Sequence, residues 1–164
     1  MELNSYEELE SLADANTIAL STLPEEQQTI GIQGSLTSHK GQLLMRVGKA
    51  EERVVWLNKS YEIRGRDIPF KPLESAWAAS NAATCIATLN QFAEAVEWYE
   101  RCAAHFKEWS DQQPERKGEG SANIKTNLAQ CLVWFGQSGR ARELLDEALA
   151  EYNRVEPFNW AMTA

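Results

Sequence analysis

Apolar residues recur at helical spacing along most of the chain, and no stretch shows the sustained alternation of a strand. The pattern predicts seven helices, over residues 6–20, 25–47, 50–63, 73–89, 92–109, 121–135 and 138–154. Residues 64–72 contain two prolines and a glycine and are predicted to form a loop. Residues 110–120 are polar and contain glycine, so they are predicted to be an exposed linker. Pro157 is typical of a first helical turn, so residues 157–164 are predicted to open a further helix. The sequence therefore predicts an all-α chain.

The helices after residue 25 repeat in pairs. The first helices of the pairs align on three small residues, Gly41, Ala83 and Ala129, which are 42 and 46 residues apart. Seven positions after the three anchors come the turn-forming residues Gly48, Asn90 and Gly136. In the second and third pairs, small residues follow the anchor at twelve positions, as Ala95 and Ala141, and at nineteen positions, as Cys102 and Ala148. Since small side chains allow two helices to cross closely, each pair is predicted to form a hairpin.

This spacing resembles the tetratricopeptide repeat (TPR), over about residues 36–154, and the unit NLAQCLVWFGQSGRARELLDEALAEY matches best. The first unit departs from the pattern, with Arg53 and Ser60 at positions for small residues. The aromatic residue that usually opens each motif is replaced by Thr37, Ala79 and Lys125. A generic α-solenoid or a compact helical bundle is therefore a second interpretation of the same pattern.

The resemblance implies one domain, an α-solenoid of about three antiparallel hairpins with roughly seven helices and a partial helix at its C-terminal end. We expect an acidic N-terminal helix over residues 1–24 and three repeats over residues 25–63, 73–109 and 121–154. Residues 157–164 would begin a capping or further helix. Repeats of this kind must stack, because a single hairpin cannot bury its apolar side alone.

Charge and composition narrow the possible partners. The formal net charge is −8, and residues 1–39 contain seven acidic residues but no lysine or arginine. An acidic chain without a basic stripe is a poor ligand for phosphate backbones, so we expect no nucleic-acid partner. No apolar run approaches the ~20 residues of a membrane span, and the N-terminus lacks the form of a secretion signal. Three cysteines without a CxxC pair indicate free thiols. We expect a cytoplasmic protein with access to the nucleus and no membrane partner.

Residues that could carry chemistry are sparse. Cys102 lies three residues before His105, but a metal site there would need further ligands from other helices. The sequence has no glycine-rich phosphate loop, nucleophile elbow or paired-histidine zinc motif. Carboxylates on the second helices are typical of surface ion pairs. The sequence therefore predicts no enzymatic activity, no cofactor and no metal.

Five of the six tryptophans fall on predicted helices of the three repeats. Trp56, Trp98 and Trp109 lie on second helices and are predicted to pack between repeats. Trp77 and Trp134 lie on first helices, and the TPR resemblance implies that first helices line a concave groove, although packing is the alternative role for both. The groove residues implied by the resemblance are Gln42, Met45, Arg46, Trp77, Ser80, Thr84, Asn123, Asn127, Gln130 and Trp134. Such a surface suits a peptide or a partner helix.

One specific TPR activity is disfavoured. TPR domains that hold chaperone tails grip a terminal carboxylate with lysine, arginine and asparagine. Asn127 matches an asparagine position, but Ser38, Gln42, Ser80 and Asn123 occupy the cationic ones. The predicted function is a non-enzymatic interaction module or scaffold with a protein or peptide partner. The alternatives are a homodimer formed through the terminal hairpin and a regulatory or sensor segment of a larger protein.

Overall fold

The computed structural model describes residues 30–46, 48–66, 70–113 and 120–153, together with positions 11, 14, 15, 18 and 22, which are all helical. The six helices of this part are α1 Ile30–Arg46, α2 Ala50–Arg64, α3 Pro72–Thr88, α4 Phe92–Gln112, α5 Ser121–Trp134 and α6 Ser138–Tyr152. The described residues contain no strand. Six helices are described against the seven predicted, because most of the helix predicted over residues 6–20 lies outside the described residues. The further helix predicted at residues 157–164 lies outside them as well.

Where the structure describes the chain on both sides of a helix end, that end agrees with the predicted one to within a few residues, and the largest difference is at the end of α4. This helix continues to Gln112, three residues past the predicted end. Trp109 and Ser110 are both buried in its last turns. Burial of an indole ring stabilises the helix there, so the exposed segment begins later than its polar composition suggests.

The three hairpins, α1–α2, α3–α4 and α5–α6, close with the same turn. Gly48, Asn90 and Gly136 have positive φ angles of 75°, 61° and 85°. The next backbone N–H donates to a carbonyl five residues earlier, over 3.1 Å for Lys49 to Leu44, 3.3 Å for Gln91 to Ile86 and 2.8 Å for Gln137 to Leu132. This is the Schellman closure, which needs glycine or asparagine at the left-handed residue. The turn residues predicted from the spacing therefore have the conformation that the repeat requires.

The hairpins stack in chain order. The main contacts between helices join consecutive elements, both within the hairpins and across the α2–α3 and α4–α5 junctions. This connectivity is that of an α-solenoid and not of a compact bundle. Ala83, Ala95, Ala129 and Ala141 are all fully buried and belong to one hydrophobic core, which extends from Leu57 of α2 to α6.

The first hairpin holds polar groups where the other two hold small apolar ones. Ser60 is fully buried, and its hydroxyl donates a hydrogen bond of 2.8 Å to the carbonyl of Gly34. Arg53 is also buried, and its Nε has no hydrogen-bond partner in the described part of the chain. Burial lowers the pKa of Arg53. The weaker sequence match of this repeat thus corresponds to a more polar interior.

Gly41 marks the tightest approach within the first hairpin. A Cβ atom added to this residue would lie 2.8 Å from both Cγ and Cδ2 of the buried Leu57. Such contacts are too short for carbon atoms, so α1 and α2 could not keep their separation. Glycine therefore takes the place that alanine holds in the other two hairpins.

We expect Gly41→Ala to lower the free energy of unfolding by about 1–3 kcal/mol, because Leu57 must move in a packed core. The measurement is urea denaturation followed by circular dichroism. Gly139→Ala is the matched control, because nothing lies within 4 Å of the added Cβ in α6. That variant should leave stability unchanged or raise it by up to about 1 kcal/mol. Equal losses in both variants would contradict the close approach at Gly41.

Candidate partner-binding surface

All ten residues predicted to line the groove lie on the first helices of the hairpins. Gln42, Met45 and Arg46 are on α1, Trp77, Ser80 and Thr84 on α3, and Asn123, Asn127, Gln130 and Trp134 on α5. The side chains of Met45 and Arg46 are outside the described part. Among the other eight, Ser80 and Asn127 are half-buried and six are exposed. We call these ten residues the first-helix surface.

The described tryptophans differ in exposure, and Trp56 of α2 is half-buried. Trp98 and Trp109 of α4 are each 6% exposed and lie in the core. Trp77 and Trp134 are 55% and 67% exposed. Burying a large ring is strongly favourable, so two rings with more than half their surface in water are available for contacts outside this chain.

Residues of the second helices orient part of the first-helix surface. The Thr84 hydroxyl donates to the carbonyl of Ser80 over 2.9 Å and lies 2.9 Å from the Tyr99 hydroxyl. Burial raises the pKa of Tyr99, and hydrogen bonding to Thr84 partly opposes this rise. On α5, Asn123 Oδ1 accepts a hydrogen bond of 2.7 Å from the Tyr152 hydroxyl. These two polar side chains are therefore held in place before any ligand arrives.

The charged residues of α3 and α5 are used within the chain. Glu74, the one charged residue of α3, forms an ion pair with Arg64. Lys125 is the one charged residue of α5, and its Nζ lies 2.8 Å from Glu147 and 2.7 Å from Glu151. The groups that these two helices offer to a partner are consequently indole rings, amides and hydroxyls.

A pocket that the sequence analysis missed lies beside Trp134. It has a volume of about 380 Å³ and is lined by Asn90, Gln91, Phe92, Ala93, Glu94, Trp134 and Phe135. The rings of Phe92 and Trp134 stack at 5.9 Å with an angle of 18° between their planes. We call this site the Trp134 pocket. Its signal in the sequence is weak, since Phe92 and Glu94 belong to the neighbouring repeat, some forty residues before Trp134.

The potential metal ligands of the described residues do not converge on one site. Among the described residues, no group of three or more His, Cys, Asp or Glu side chains could hold a metal ion. Cys102 is buried, whereas His105 Nε2 lies 2.8 Å from the Tyr61 hydroxyl. All three cysteines are buried, and none of them forms a disulfide. In the described part of the chain, no helix has both the length and the apolar character to cross a membrane.

Comparisons with known proteins identify the fold. No family model matches the chain, and no curated protein does. A solved structure of putative kinesin light chain TPR-like repeats from Podosopora anserina is 20% identical, with a TM-score of 0.73, 95% of this chain covered and 71% of that chain. The TPR domain of Arabidopsis FLU is 16% identical, with a TM-score of 0.64, 76% of this chain covered and 98% of that chain. BtubC from P. vanneervenii is 15% identical, with a TM-score of 0.55 and coverages of 95% and 78%. The protein therefore has a TPR-like helical-repeat fold.

Thiol ionisation gives a test of the packing behind this surface. Burial raises the pKa of Cys102 to about 12 from an ordinary value of 9.0, although hydrogen bonding to Ser80 opposes the rise. The unfolded chain would lose this proton first, so stability should fall as pH rises from about 9 towards 12. We expect less of this loss in Cys102→Ala than in the wild type, measured by urea denaturation at several pH values. Equal pH dependence in both proteins would contradict a buried, protonated thiol.

Proposed function

We propose that the protein is a non-enzymatic interaction module that presents the first-helix surface to a peptide or helix of a partner protein. The observation that carries this proposal is the exposure of Trp77 and Trp134 on first helices, while Trp98 and Trp109 of α4 are buried. Tryptophan is enriched among the residues that dominate binding energy at protein interfaces. Two such rings on one series of helices provide anchors for a partner.

Specificity would come from the polar side chains between these anchors. Thr84 and Asn123 are oriented by Tyr99 and Tyr152, so little conformational entropy is lost when they bind. Their hydroxyl and amide groups suit the backbone of an extended or helical segment. The solved relatives with TPR domains or TPR-like repeats share the architecture on which this mechanism depends.

The charge distribution supports a protein partner over a nucleic acid. The net charge is −8, and Lys125 and Arg64 are engaged in ion pairs with glutamates. Phosphate backbones require clusters of unpaired cations. We propose a cytoplasmic protein with access to the nucleus and without a membrane partner. A regulatory or sensor segment of a larger protein would use the same surface against its own parent chain.

The test is affinity capture from a lysate of the source cells, with mass-spectrometric identification. We expect a partner that binds the wild type to be lost with Trp77→Ala/Trp134→Ala. Truncation of an anchor tryptophan costs about 2 kcal/mol or more, which is roughly a thirtyfold loss of affinity. Both rings are mostly exposed, so the variant should keep the helical circular dichroism of the wild type.

Val55→Ala is the matched control for this experiment. Val55 is 65% exposed and lies on α2, a second helix, so its removal deletes an exposed apolar group outside the first-helix surface. The control should retain every partner of the wild type. Retention of the same partners by the double tryptophan variant would move the binding site away from the first helices.

A second candidate function is self-association through the terminal hairpin α5–α6. Val133, Leu145, Leu149 and Tyr152 are all exposed, and we call them the end face. Their equivalents one repeat earlier, Ala87, Tyr99, Ala103 and Phe106, are buried or packed against the core. Leu145 is 44% exposed, for example, whereas its equivalent Tyr99 is 4% exposed. The end face therefore has the composition of a surface between repeats, and a second copy of the chain could cover it. Pro157 and Trp160, which could contribute to such a dimer, lie outside the described residues.

Light scattering over a concentration series tests this second candidate. We expect a wild-type dimer that dissociates in Leu149→Glu, because a carboxylate in an apolar interface is costly to desolvate. Val55→Glu is the control, since the equivalent positions of the other two repeats are Glu97 and Glu143. A wild-type protein that stays monomeric over the whole series would exclude self-association through the end face.

A further inference from the structure

The Trp134 side chain packs against another aromatic ring and is still mostly exposed. Phe92 stacks on it at 5.9 Å, which holds the ring in a defined place between the second and third repeats. The residue is nevertheless 67% exposed. The part of the indole ring that lines the Trp134 pocket is therefore available to a ligand.

Other tryptophans of this chain bind cations on their rings. Lys40 and Lys59 lie 4.2 Å and 5.0 Å from the centroid of Trp56, and Arg101 lies 4.5 Å from that of Trp98. These contacts are attractive because the face of an indole ring carries negative charge density. Within the described residues, no lysine or arginine lies over Trp134. The exposed ring of Trp134 thus lacks the cation that packs on the rings of Trp56 and Trp98.

Glu94 places a negative charge in the same pocket. It is exposed, lies in the first turn of α4 and lines the Trp134 pocket together with Phe135. Several other glutamates are ion-paired, as in Glu100, whose carboxylate lies 2.6 Å from Arg140. In the described part of the chain, Glu94 has no lysine or arginine within ion-pair distance. An aromatic face and a carboxylate that both lack a cation therefore line one site.

We infer that the Trp134 pocket binds an arginine side chain of the partner polypeptide. The planar guanidinium would pack on the part of the Trp134 ring that is exposed in the pocket, and its N–H groups would donate to the carboxylate of Glu94, which lines the same pocket. Arginine fits better than lysine because its flat, delocalised cation stacks on a ring while its edge still donates hydrogen bonds. The Phe135 ring offers an apolar contact for the aliphatic part of the side chain. The inference rests on the proposed function, because Trp134 belongs to both the pocket and the first-helix surface.

The acidity of the chain agrees with a basic residue in the partner. The net charge of −8 produces a field that attracts cationic segments, and the lining of the pocket contains no lysine or arginine that would oppose one. A partner with an arginine next to residues that contact α3 and α5 would bind the Trp134 pocket and the first-helix surface at the same time.

The test is an NMR titration with N-acetyl-arginine amide, read from the backbone amides of residues 90–94. We expect a saturable shift with a dissociation constant in the millimolar range, as suits one side chain at an exposed site. N-acetyl-citrulline amide, which has nearly the same shape without the charge, should give no such shift. Trp134→Ala should abolish binding, and Glu94→Gln should weaken it roughly two- to fivefold.

Glu97→Gln is the matched control, because Glu97 is exposed on the same helix but does not line the pocket. It should bind arginine amide as the wild type does. The inference is overturned if citrulline binds equally well, if Glu94→Gln and the wild type have the same affinity, or if N-acetyl-lysine amide binds as tightly as arginine. The titration needs no partner protein, so its failure leaves the capture experiment with Trp77 and Trp134 unaffected and the two results remain distinguishable.

Discussion

The close approach of two helices within each hairpin is the constraint on which the rest of this structure depends. It requires residues without large side chains at the crossing, and Ala83, Ala95, Ala129 and Ala141 are all fully buried there. The crossing at Gly41 leaves no room even for a methyl group, which would collide with the buried side chain of Leu57. Once each hairpin is this tight, its remaining apolar side is a flat strip that only another hairpin can cover. Stacking follows from that geometry.

Stacking also gives the two helices of each pair different roles in packing and in exposure. The second helices carry much of the packing between repeats, as in the edge-to-face contact of Tyr61 and Trp98 at 5.0 Å, and the ion pair between Arg140 and Glu100. The first helices α3 and α5 have one charged residue each, and both are ion-paired. This separation leaves exposed indole, amide and hydroxyl groups on one series of helices, which is the physical basis for a recognition surface.

The same linear architecture explains the apolar end face. In a stacked repeat protein each unit contacts only its neighbours, and α5–α6 is the last hairpin that the structure describes, so it presents residues of the kind that earlier hairpins bury. Phe106 is buried whereas its equivalent Tyr152 is exposed, although the Tyr152 hydroxyl still hydrogen-bonds to Asn123. The difference between these two aromatic residues comes from their place in the stack and not from their own chemistry.

The sequence by itself determined the helices, the hairpin turns and the repeat register, because all three depend on local spacing. Glycine or asparagine at positions 48, 90 and 136 favours the left-handed backbone conformation, and the φ angles of all three residues are positive. Only the tertiary structure decided which surfaces are built across repeats. Phe92 and Trp134 are far apart in sequence yet stack, since the turn of one hairpin lies beside the end of the next hairpin's first helix. Helical periodicity describes one helix at a time, so it cannot show which side chains of two stacked hairpins will meet.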